Sequence, residues 1–432
     1  MSAALQALPS TRYLTSDSDY SFFPQFTSIA ATKSAMLDRL AYRLDEGDLD
    51  YDALNVFFRI GTFVGTDSCF RHIKADPPDY KLIATIRHVD ASRTEIIDTY
   101  IDLFRQAVGR CMAHRDDIGT TLTGGRDSRH IVLELCRSGR KPACCWTVDI
   151  PFKPSEAAIA KQICSRLGIK HNVFRPSGKF ADVEAEKDRL TSFSSLQHAW
   201  LAEALSAGIA TTPVLFEGIG GDVLSAGPYL TEVRLRLLRE HRIDELVEEI
   251  VGPEEDLAVV RNVKLFSRQR ALEKVNEEFR RHLRAADPIS SFFFWNKTRR
   301  DIACAPFALM QQHCQKLYAP YLDSDLVRFL SGISPSVTAD HNLHTDAIVR
   351  AFPNFADMPY AAGYIRTPRY FQRIGIDVLR YLWKNPCPMI KRKKVFLQLL
   401  RASLSPKHAP ESMWLGPYIV YLTELSKGLA LS

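Results

Sequence analysis

Two glycine-rich stretches of the sequence combine residue types that can hold a phosphate and a divalent cation. The first, TLTGGRDS, places a pair of glycines directly before Arg126, Asp127 and Ser128. The second, EGIGGDVLSAG, occupies residues 217–227 and places Asp222 after another glycine pair. Glycines let successive backbone amides point at an anion, hydroxyls add donors, and carboxylates bind Mg²⁺. A plain strand-to-helix turn is the competing interpretation of the first stretch.

The elements around these stretches predict how they meet. An apolar run ends directly before each stretch, and strand-like segments alternate with helix-like segments between them. This alternation predicts an α/β fold, in which helices cover both faces of a parallel sheet. Ligands of such sheets lie at the carboxyl ends of the strands, so both stretches should open at the same edge. We predict strands at 118–122, 143–148, 171–174 and 214–217, and helices at 126–138 and 155–167.

Several other classes of protein are disfavoured by the sequence. Neither stretch completes G-x-G-x-x-G, and no G-x-x-x-x-G-K-[ST] occurs, which excludes a dinucleotide fingerprint and a Walker A loop. The nine cysteines lack zinc-site spacing, and a net charge of +6 is too small to predict a nucleic-acid partner. The basic run Lys391–Lys394 is typical of solvated surface, although it can steer an anionic partner. Without a long apolar run, we expect a cytoplasmic protein with no membrane partner.

The order of several motifs resembles the synthetase domain of class B asparagine synthetases. A [ST]-G-G-x-D-S sequence after a strand is similar to the PP-loop of ATP pyrophosphatases. Further along, residues 217–227 resemble the family's second glycine loop, PYLD at 320–323 its P-[FY]-L-D segment, and 344–352 the helix that follows. β-Lactam synthetase and the lasso-peptide cyclases are relatives in the same resemblance. It implies an adenine nucleotide alpha hydrolase-like fold with a helical C-terminal portion and a short, truncated N-terminal region.

The resemblance implies an ATP-dependent ligase that forms an amide bond. In that chemistry a carboxylate attacks the α-phosphorus of ATP, pyrophosphate leaves, and ammonia or an amine attacks the acyl-adenylate. ATP and Mg²⁺ are the implied cofactors, with a small-molecule or peptide carboxylate as substrate and a partner protein in a biosynthetic complex. Two alternatives stay open, namely a non-catalytic ATP-binding relative and a different PP-loop adenylating enzyme.

The same resemblance implies roles for individual residues. Asp127 and Asp222 are the implied Mg²⁺ ligands and also count among the catalytic residues. Val148, at the end of the second predicted strand, is expected to face the nucleotide. The residues expected to bind ATP and the leaving pyrophosphate are Thr123, Gly124, Gly125, Asp127, Ser128, Val148, Gly218, Gly220 and Gly221.

The sequence departs from the family pattern at the catalytic lysine. The family places this lysine roughly forty residues after the Asp of the P-[FY]-L-D segment. No lysine lies between Lys316 and Lys384, and Arg366 stands near the expected spacing. An arginine can brace pyrophosphate with its permanent charge, but it cannot shuttle a proton. Two interpretations stay open: Arg366 is the catalytic cation, or the site is degenerate.

Three regions are predicted along the chain. Residues 1–90 form a truncated N-terminal region with a linker, 91–350 the ATP-binding domain, and 351–432 a lid with a helical extension. Asparagine synthetases carry a glutaminase half that begins with a catalytic cysteine, whereas Ser2 stands at that position here. Residues 49–78 resemble the family's linker between the glutaminase and synthetase halves, and the residues before this segment are too few for such a domain. We therefore expect ammonia or an amine, rather than glutamine, to supply the nitrogen.

Overall fold

A parallel β-sheet lies at the centre of the described part of the chain. The computed structural model describes residues 46–427 except 76, 112–116, 152–154, 209–211, 254–258, 303, 305–309, 311–313, 315, 362 and 364–366. Within these residues the sheet has the strand order β3-β2-β1-β4-β5. Its strands are β1 (Ile118–Thr121), β2 (Cys144–Val148), β3 (Lys170–Phe174), β4 (Val214–Phe216) and β5 (Lys316–Tyr318). The predicted α/β class and parallel sheet are confirmed, and β5 is a strand that the sequence analysis did not predict.

The neighbouring strands β1 and β4 position the two glycine stretches. The chain runs from β1 through β2 to β3 in one direction across the sheet, and β4 then pairs with the other side of β1. Thr120 of β1 is in register with Phe216 of β4. Both glycine stretches therefore leave the sheet at the same edge, as predicted. This reversal of strand order is the place where open α/β sheets bind their ligands.

Helices flank the sheet, and their boundaries follow local sequence signals. The helix that begins at Arg93 has the capping box expected from its sequence, because Ser92 N donates to Glu95 Oε2 at 2.8 Å and Glu95 N to Ser92 Oγ at 3.3 Å. From the amino end, the helices are α1 (Tyr51–Ile60), α2 (Tyr80–Thr85), α3 (Arg93–Cys111), α4 (Asp127–Arg137), α5 (Ser155–Leu167), α6 (Phe180–Leu190), α7 (Ala199–Ser206), α8 (Gly221–Ser225), α9 (Glu232–Arg239) and α10 (Ile243–Val251).

The chain from Arg268 to Ala351 is also largely helical. Its helices are α11 (Arg268–Arg280), α12 (Pro288–Phe293), α13 (Arg299–Ile302), α14 (Ser324–Ser331), α15 (Pro335–Thr338) and α16 (Leu343–Ala351). A π-helical turn over Phe294–Thr298, called the π turn below, joins α12 to α13. Short 3₁₀ turns span Glu46–Asp48, Val263–Leu265, Pro320–Leu322 and Pro353–Phe355.

The predicted helical C-terminal portion is confirmed. It consists of α17 (Pro368–Lys384), α18 (Arg392–Leu404) and α19 (Pro410–Lys427). α17 and α19 pack against each other and against α6. Tyr421 of α19 also contacts Phe57 of α1, with ring centroids 5.1 Å apart, so these helices share a core with the start of the described chain. Among the described residues, no helix is both long and apolar enough to cross a bilayer.

Two sequence predictions are not decided by this architecture. Residues 1–45 of the predicted N-terminal region lie outside the described residues. The division into regions at residues 90/91 and 350/351 stays a prediction. One apolar core contains residues from all three regions, including Phe57, Trp146 and Tyr421, so this core does not mark the boundaries.

Candidate active site

The first glycine stretch forms a loop that is held together by its own hydroxyl groups. Thr123 N donates to Ser128 Oγ at 3.0 Å, and Gly125 N donates to Thr123 Oγ1 at 3.0 Å. The two hydroxyl oxygens lie 3.3 Å apart. Ser128 belongs to the first turn of α4, so the loop presents hydroxyls and amides at the amino end of that helix. Such a terminus carries partial positive charge and attracts anionic groups.

The second glycine stretch packs directly against Asp127. A Cβ atom on Gly218 would lie 2.9 Å from Asp127 Cβ, and one on Gly221 would lie 2.7 Å from Asp127 Oδ1. Gly220 has a φ of 85°, a left-handed conformation that favours glycine. These glycines bring the loop after β4 against the loop after β1. Asp222 follows them in the first turn of α8.

The carboxyl groups of Asp127, Glu217 and Asp222 lie close enough to influence one another. Burial raises the pKa of Asp127 well above its ordinary value, and the charges of Asp222 and Glu217 raise it further. Burial also raises the pKa of Glu217 and of Asp222, while the positive charge of Lys297 acts against this on Asp222. Asp222 is accessible to solvent at the start of α8 although protein surrounds it. Clustered acids in such a place favour a bound cation.

The two aspartates fit a magnesium ion that is shared with a phosphate. Asp127 Oδ1 is buried without a hydrogen-bond partner, and His344 Nδ1 lies 3.3 Å from it. Burial lowers the pKa of His344 to about 3, so the imidazole is neutral and the contact is not an ion pair. No group of three or more His, Cys, Asp or Glu side chains among the described residues is arranged to hold a metal. Mg²⁺ commonly uses only one or two carboxylates, with water and phosphate oxygens as its other ligands.

A buried polar network connects the two loops from behind. Tyr321 Oη lies 3.1 Å from His344 Nε2 and donates to the backbone oxygen of Asp127 at 3.3 Å. His344 Nδ1 lies 3.1 Å from Ser225 Oγ, at the end of α8. Because these side chains come from a 3₁₀ turn, α16 and α8, they fix the positions of both loops relative to each other. Tyr321 and His344 belong to family-like segments of the sequence, but no local signal predicts a role in the site for either residue.

The chain that leads to the predicted Arg366 crosses the first glycine loop. Arg129 Nη1 donates to Met358 O at 3.0 Å, and Ala361 N donates to Gly124 O at 2.9 Å. The contact is so close that a Cβ atom on Gly124 would lie 2.7 Å from Ala361 Cβ. Arg366 itself lies outside the described residues. The lid assignment of this residue therefore stays a prediction.

Val148 lies at the predicted edge of the sheet, and its side chain is buried. It ends β2, next to β1, and its side chain is buried in the apolar core. Thr147 Oγ1 donates to Leu122 O at 2.5 Å, which attaches the end of β2 to the exit of β1. The expected contact of Val148 with the nucleotide stays a prediction.

A lysine that the sequence analysis missed lies beside Asp222. Lys297 belongs to the π turn, which packs against α8, and its Nζ is 2.6 Å from Asp301 Oδ2. Burial acts to lower the pKa of Lys297, but the charges of Asp301 and Asp222 raise it above its ordinary value, so the ammonium group stays charged. π turns occur frequently at functional sites. The local sequence FFFWNKTRRDIA does not reveal this position, because only tertiary packing brings Lys297 to Asp222.

The sequence of this region matches a known protein family. The profile of the asparagine synthase family matches residues 99–352, which is more than half of the chain. The matched range contains both glycine loops, Lys297 and His344, whereas Arg366 lies beyond it. No curated protein matches the chain.

Proposed function

The chain belongs to the asparagine synthase family, whose members are ATP-dependent ligases, and we propose that it uses ATP to join a carboxylate to ammonia or an amine. The observation that carries this proposal is the contact between two glycine loops at the reversal of strand order, where Asp127 and Asp222 lie within electrostatic reach of each other. Both loops leave neighbouring strands, so one nucleotide can touch both. The identity of the acid and the amine is not encoded in these loops.

The proposed reaction has two steps. A carboxylate oxygen of the substrate attacks the α-phosphorus of ATP, and the bond between that phosphorus and the bridging oxygen of pyrophosphate breaks. The nitrogen of the amine then attacks the carbonyl carbon, AMP leaves, and the nitrogen loses a proton. In the first step, the amides of the first loop and the hydroxyls of Thr123 and Ser128 support the leaving pyrophosphate.

Asp127 and Asp222 are the residues that we propose to hold Mg²⁺. The support is the unpartnered Oδ1 atom of Asp127 and the mutual repulsion of the carboxylates, which a cation relieves. A bound Mg²⁺ supplies positive charge against the phosphates. His344 and Tyr321 act as positioning residues, because their network holds the backbone of Asp127 and the end of α8.

Lys297 is the residue that we propose as the cation of the site on the side of Asp222. Lys297 lies on the π turn, which packs against α8, and its ammonium group pairs with Asp301 of α13. The charge is therefore already in place before substrate binds. A charge fixed in this way stabilises negative charge that develops in the reaction. Arg366 remains the proposed cation of the lid, which can act in addition to Lys297.

Analysis of the nucleotide products tests the proposed reaction. The purified chain is incubated with Mg·ATP, a panel of carboxylates, and hydroxylamine, which traps an acyl-adenylate as a hydroxamate. We expect AMP and pyrophosphate in amounts equal to the hydroxamate. Formation of ADP and phosphate would contradict adenylation. Tight binding of Mg·ATP without product from any acid would instead favour a non-catalytic relative.

A further inference from the structure

The solvent-facing side of α18 carries a cluster of large apolar side chains. The spacing i, i+1, i+4 and i+8 places its large side chains on one side of the helix. These residues, called the C-terminal patch below, are Phe396, Leu397, Leu400 and Leu404. Leu397 and Leu404 are 64% and 74% exposed, while Val395 and Leu399 on the other side of α18 are buried in the core. Large apolar side chains on the buried side of a surface helix are expected, but a cluster of them on its solvent-facing side is not, so the C-terminal patch indicates a partner.

Exposed tryptophans occur on the two helices that pack against α18. Trp383 is the penultimate residue of α17 and is 76% exposed. Trp414 lies in the second turn of α19 and is 73% exposed. Both helices contact α18. Tryptophan is enriched at the interface between a membrane and water, where its ring is partly buried and its N–H stays hydrated.

The segment that contains α18 is strongly basic. Residues 369–410 contain ten Lys and Arg and one Asp, a net charge of +9, whereas the whole chain carries +6, so the remainder is net negative. The single acid, Asp377, accepts a hydrogen bond from Ala181 N at 2.8 Å. Within the described residues, no carboxylate pairs with the side chains of Lys391–Lys394, which run into the start of α18. These charges are therefore available to an external anion.

We propose that the C-terminal patch docks the protein onto an anionic lipid surface. The apolar side chains enter the headgroup region. The adjacent Lys and Arg residues attract anionic headgroups, and each of these basic residues strengthens binding about fivefold. An acidic protein or a nucleic acid would pair with the charges but leave the leucines in water. A second copy of the chain would bring two strongly basic surfaces together, which like-charge repulsion opposes. A lipid surface covers the apolar residues and neutralises the basic ones.

This partner differs from the expectation drawn from the sequence. The expectation of no membrane partner follows from the lack of a long apolar run. A protein that lies on a bilayer needs no spanning segment, and the overall charge conceals the contrast between residues 369–410 and the rest of the chain.

Binding to vesicles tests the proposal with the full chain. The purified protein is sedimented with vesicles of phosphatidylcholine alone and with vesicles that also contain phosphatidylglycerol. We expect binding to the anionic vesicles only, weakened by salt and accompanied by a blue shift of tryptophan emission. The double variant Leu397→Glu/Leu404→Glu should bind at least about tenfold more weakly, because it forfeits the free energy gained when each leucine side chain leaves water for the lipid. Arg392→Gln/Lys393→Gln/Lys394→Gln should also bind more weakly.

Matched control variants separate the C-terminal patch from general surface effects. Val233→Glu changes an exposed apolar residue of α9, and Arg236→Gln/Arg239→Gln removes basic residues from that helix. These variants should bind the anionic vesicles as the wild type does. Circular dichroism and Mg·ATP titration of all variants confirm that each is folded.

Three results would overturn the proposal. One is the absence of vesicle binding by the folded full chain. Another is binding that Leu397→Glu/Leu404→Glu does not weaken, which would point to charge alone and to a polyanion as partner. The third is a dimer in sedimentation velocity that the same double variant dissociates, which would make a second copy of the chain the occupant of the C-terminal patch.

Discussion

At the scale of single residues, the site depends on a few charged groups that the chain brings together from distant positions. Asp127 and Asp222 come from loops after β1 and β4, and Lys297 comes from the π turn. The aspartates were predicted from their glycine-rich surroundings. Lys297 was not, because a lysine within an apolar helical segment has no local signal. Its role becomes visible only from its contact with Asp301 and its influence on Asp222.

Replacement of Asp127 or Asp222 by Asn should weaken the Mg²⁺-dependent binding of ATP. We expect a loss of at least about tenfold, since even groups that only support a metal ligand typically contribute about 10–100-fold. Calorimetric titration with ATP, in the presence of Mg²⁺ and of a chelator, measures this. Asp346→Asn, which alters a partly exposed carboxylate 2.8 Å from Arg93, is the control. Unchanged affinity in both site variants would contradict the metal assignment.

Replacement of Lys297 by Met should slow adenylation about 10²–10³-fold while the affinity for Mg·ATP stays within a few-fold of the wild type. Lys297→Arg should retain part of the rate, because the charge remains. In Lys297→Met, the carboxylate of Asp301 loses its lysine partner. The double variant Lys297→Met/Asp301→Asn removes this unpaired charge as well, and it should not restore turnover. Lys274→Met, which removes a partly buried lysine 2.7 Å from Asp67, is the matched control. Full activity of Lys297→Met in a folded protein would show that the lysine is only structural.

Replacement of Arg366 by Ala should lower turnover and leave the affinity for Mg·ATP largely intact, as expected for a cation that acts from a lid. Arg366→Lys should keep part of the activity, because it retains the charge but lacks the planar guanidinium. Arg369→Ala, at the start of α17, controls for the loss of a nearby positive charge. Steady-state kinetics measures both variants. Turnover of Arg366→Ala at the wild-type rate would exclude this residue as the catalytic cation.

At the scale of elements, the packing of one glycine loop on the other decides the geometry of the site. The strands β1, β2 and β4 and the helix α5 could be predicted, because apolar runs, helix caps and terminal glycines mark them locally. β5 was missed because its three residues, KLY, are too short to show alternation. The network of Tyr321 and His344 was missed because it depends on which side chains meet across the sheet edge.

Replacement of Gly221 by Ala should disturb Asp127. The new Cβ atom would lie 2.7 Å from Asp127 Oδ1 and 3.0 Å from Tyr321 Cε2, so the carboxylate has to move. We expect a loss of Mg·ATP affinity of at least about tenfold and a destabilisation of about 1–3 kcal/mol from overpacking. Calorimetric titration and urea unfolding measure the two effects.

Gly109→Ala provides the matched control for this substitution. Gly109 lies in α3, and apart from its chain neighbours and the backbone of its own helix no atom is within 4 Å of the position that its Cβ would take. The alanine should leave Mg·ATP binding unchanged and stabilise the protein by up to about 1 kcal/mol, because alanine favours a helix. Equal Mg·ATP affinity in Gly221→Ala and Gly109→Ala would show that the close packing at Gly221 is not needed by the site.

At the scale of the whole molecule, the C-terminal helices join the ends of the described chain. Residues of α1, β2, α17, α18 and α19 contribute to one apolar core, so the C-terminal patch is attached to the same body as the sheet. The distribution of charge is equally uneven, because residues 369–410 carry a net charge of +9 whereas the rest of the chain taken together is net negative. On the proposals made above, a ligase of this family would work while attached to an anionic lipid surface.

Exchange of labelled pyrophosphate into ATP tests the central claim most directly, because it reports formation of the acyl-adenylate without any need for the amine. The purified wild type is given Mg·ATP, labelled pyrophosphate and one carboxylate at a time. The proposed function predicts exchange that depends on a particular carboxylate and is lost in Asp127→Asn. A folded wild type that binds Mg·ATP but supports no exchange with any carboxylate of a broad panel would contradict it.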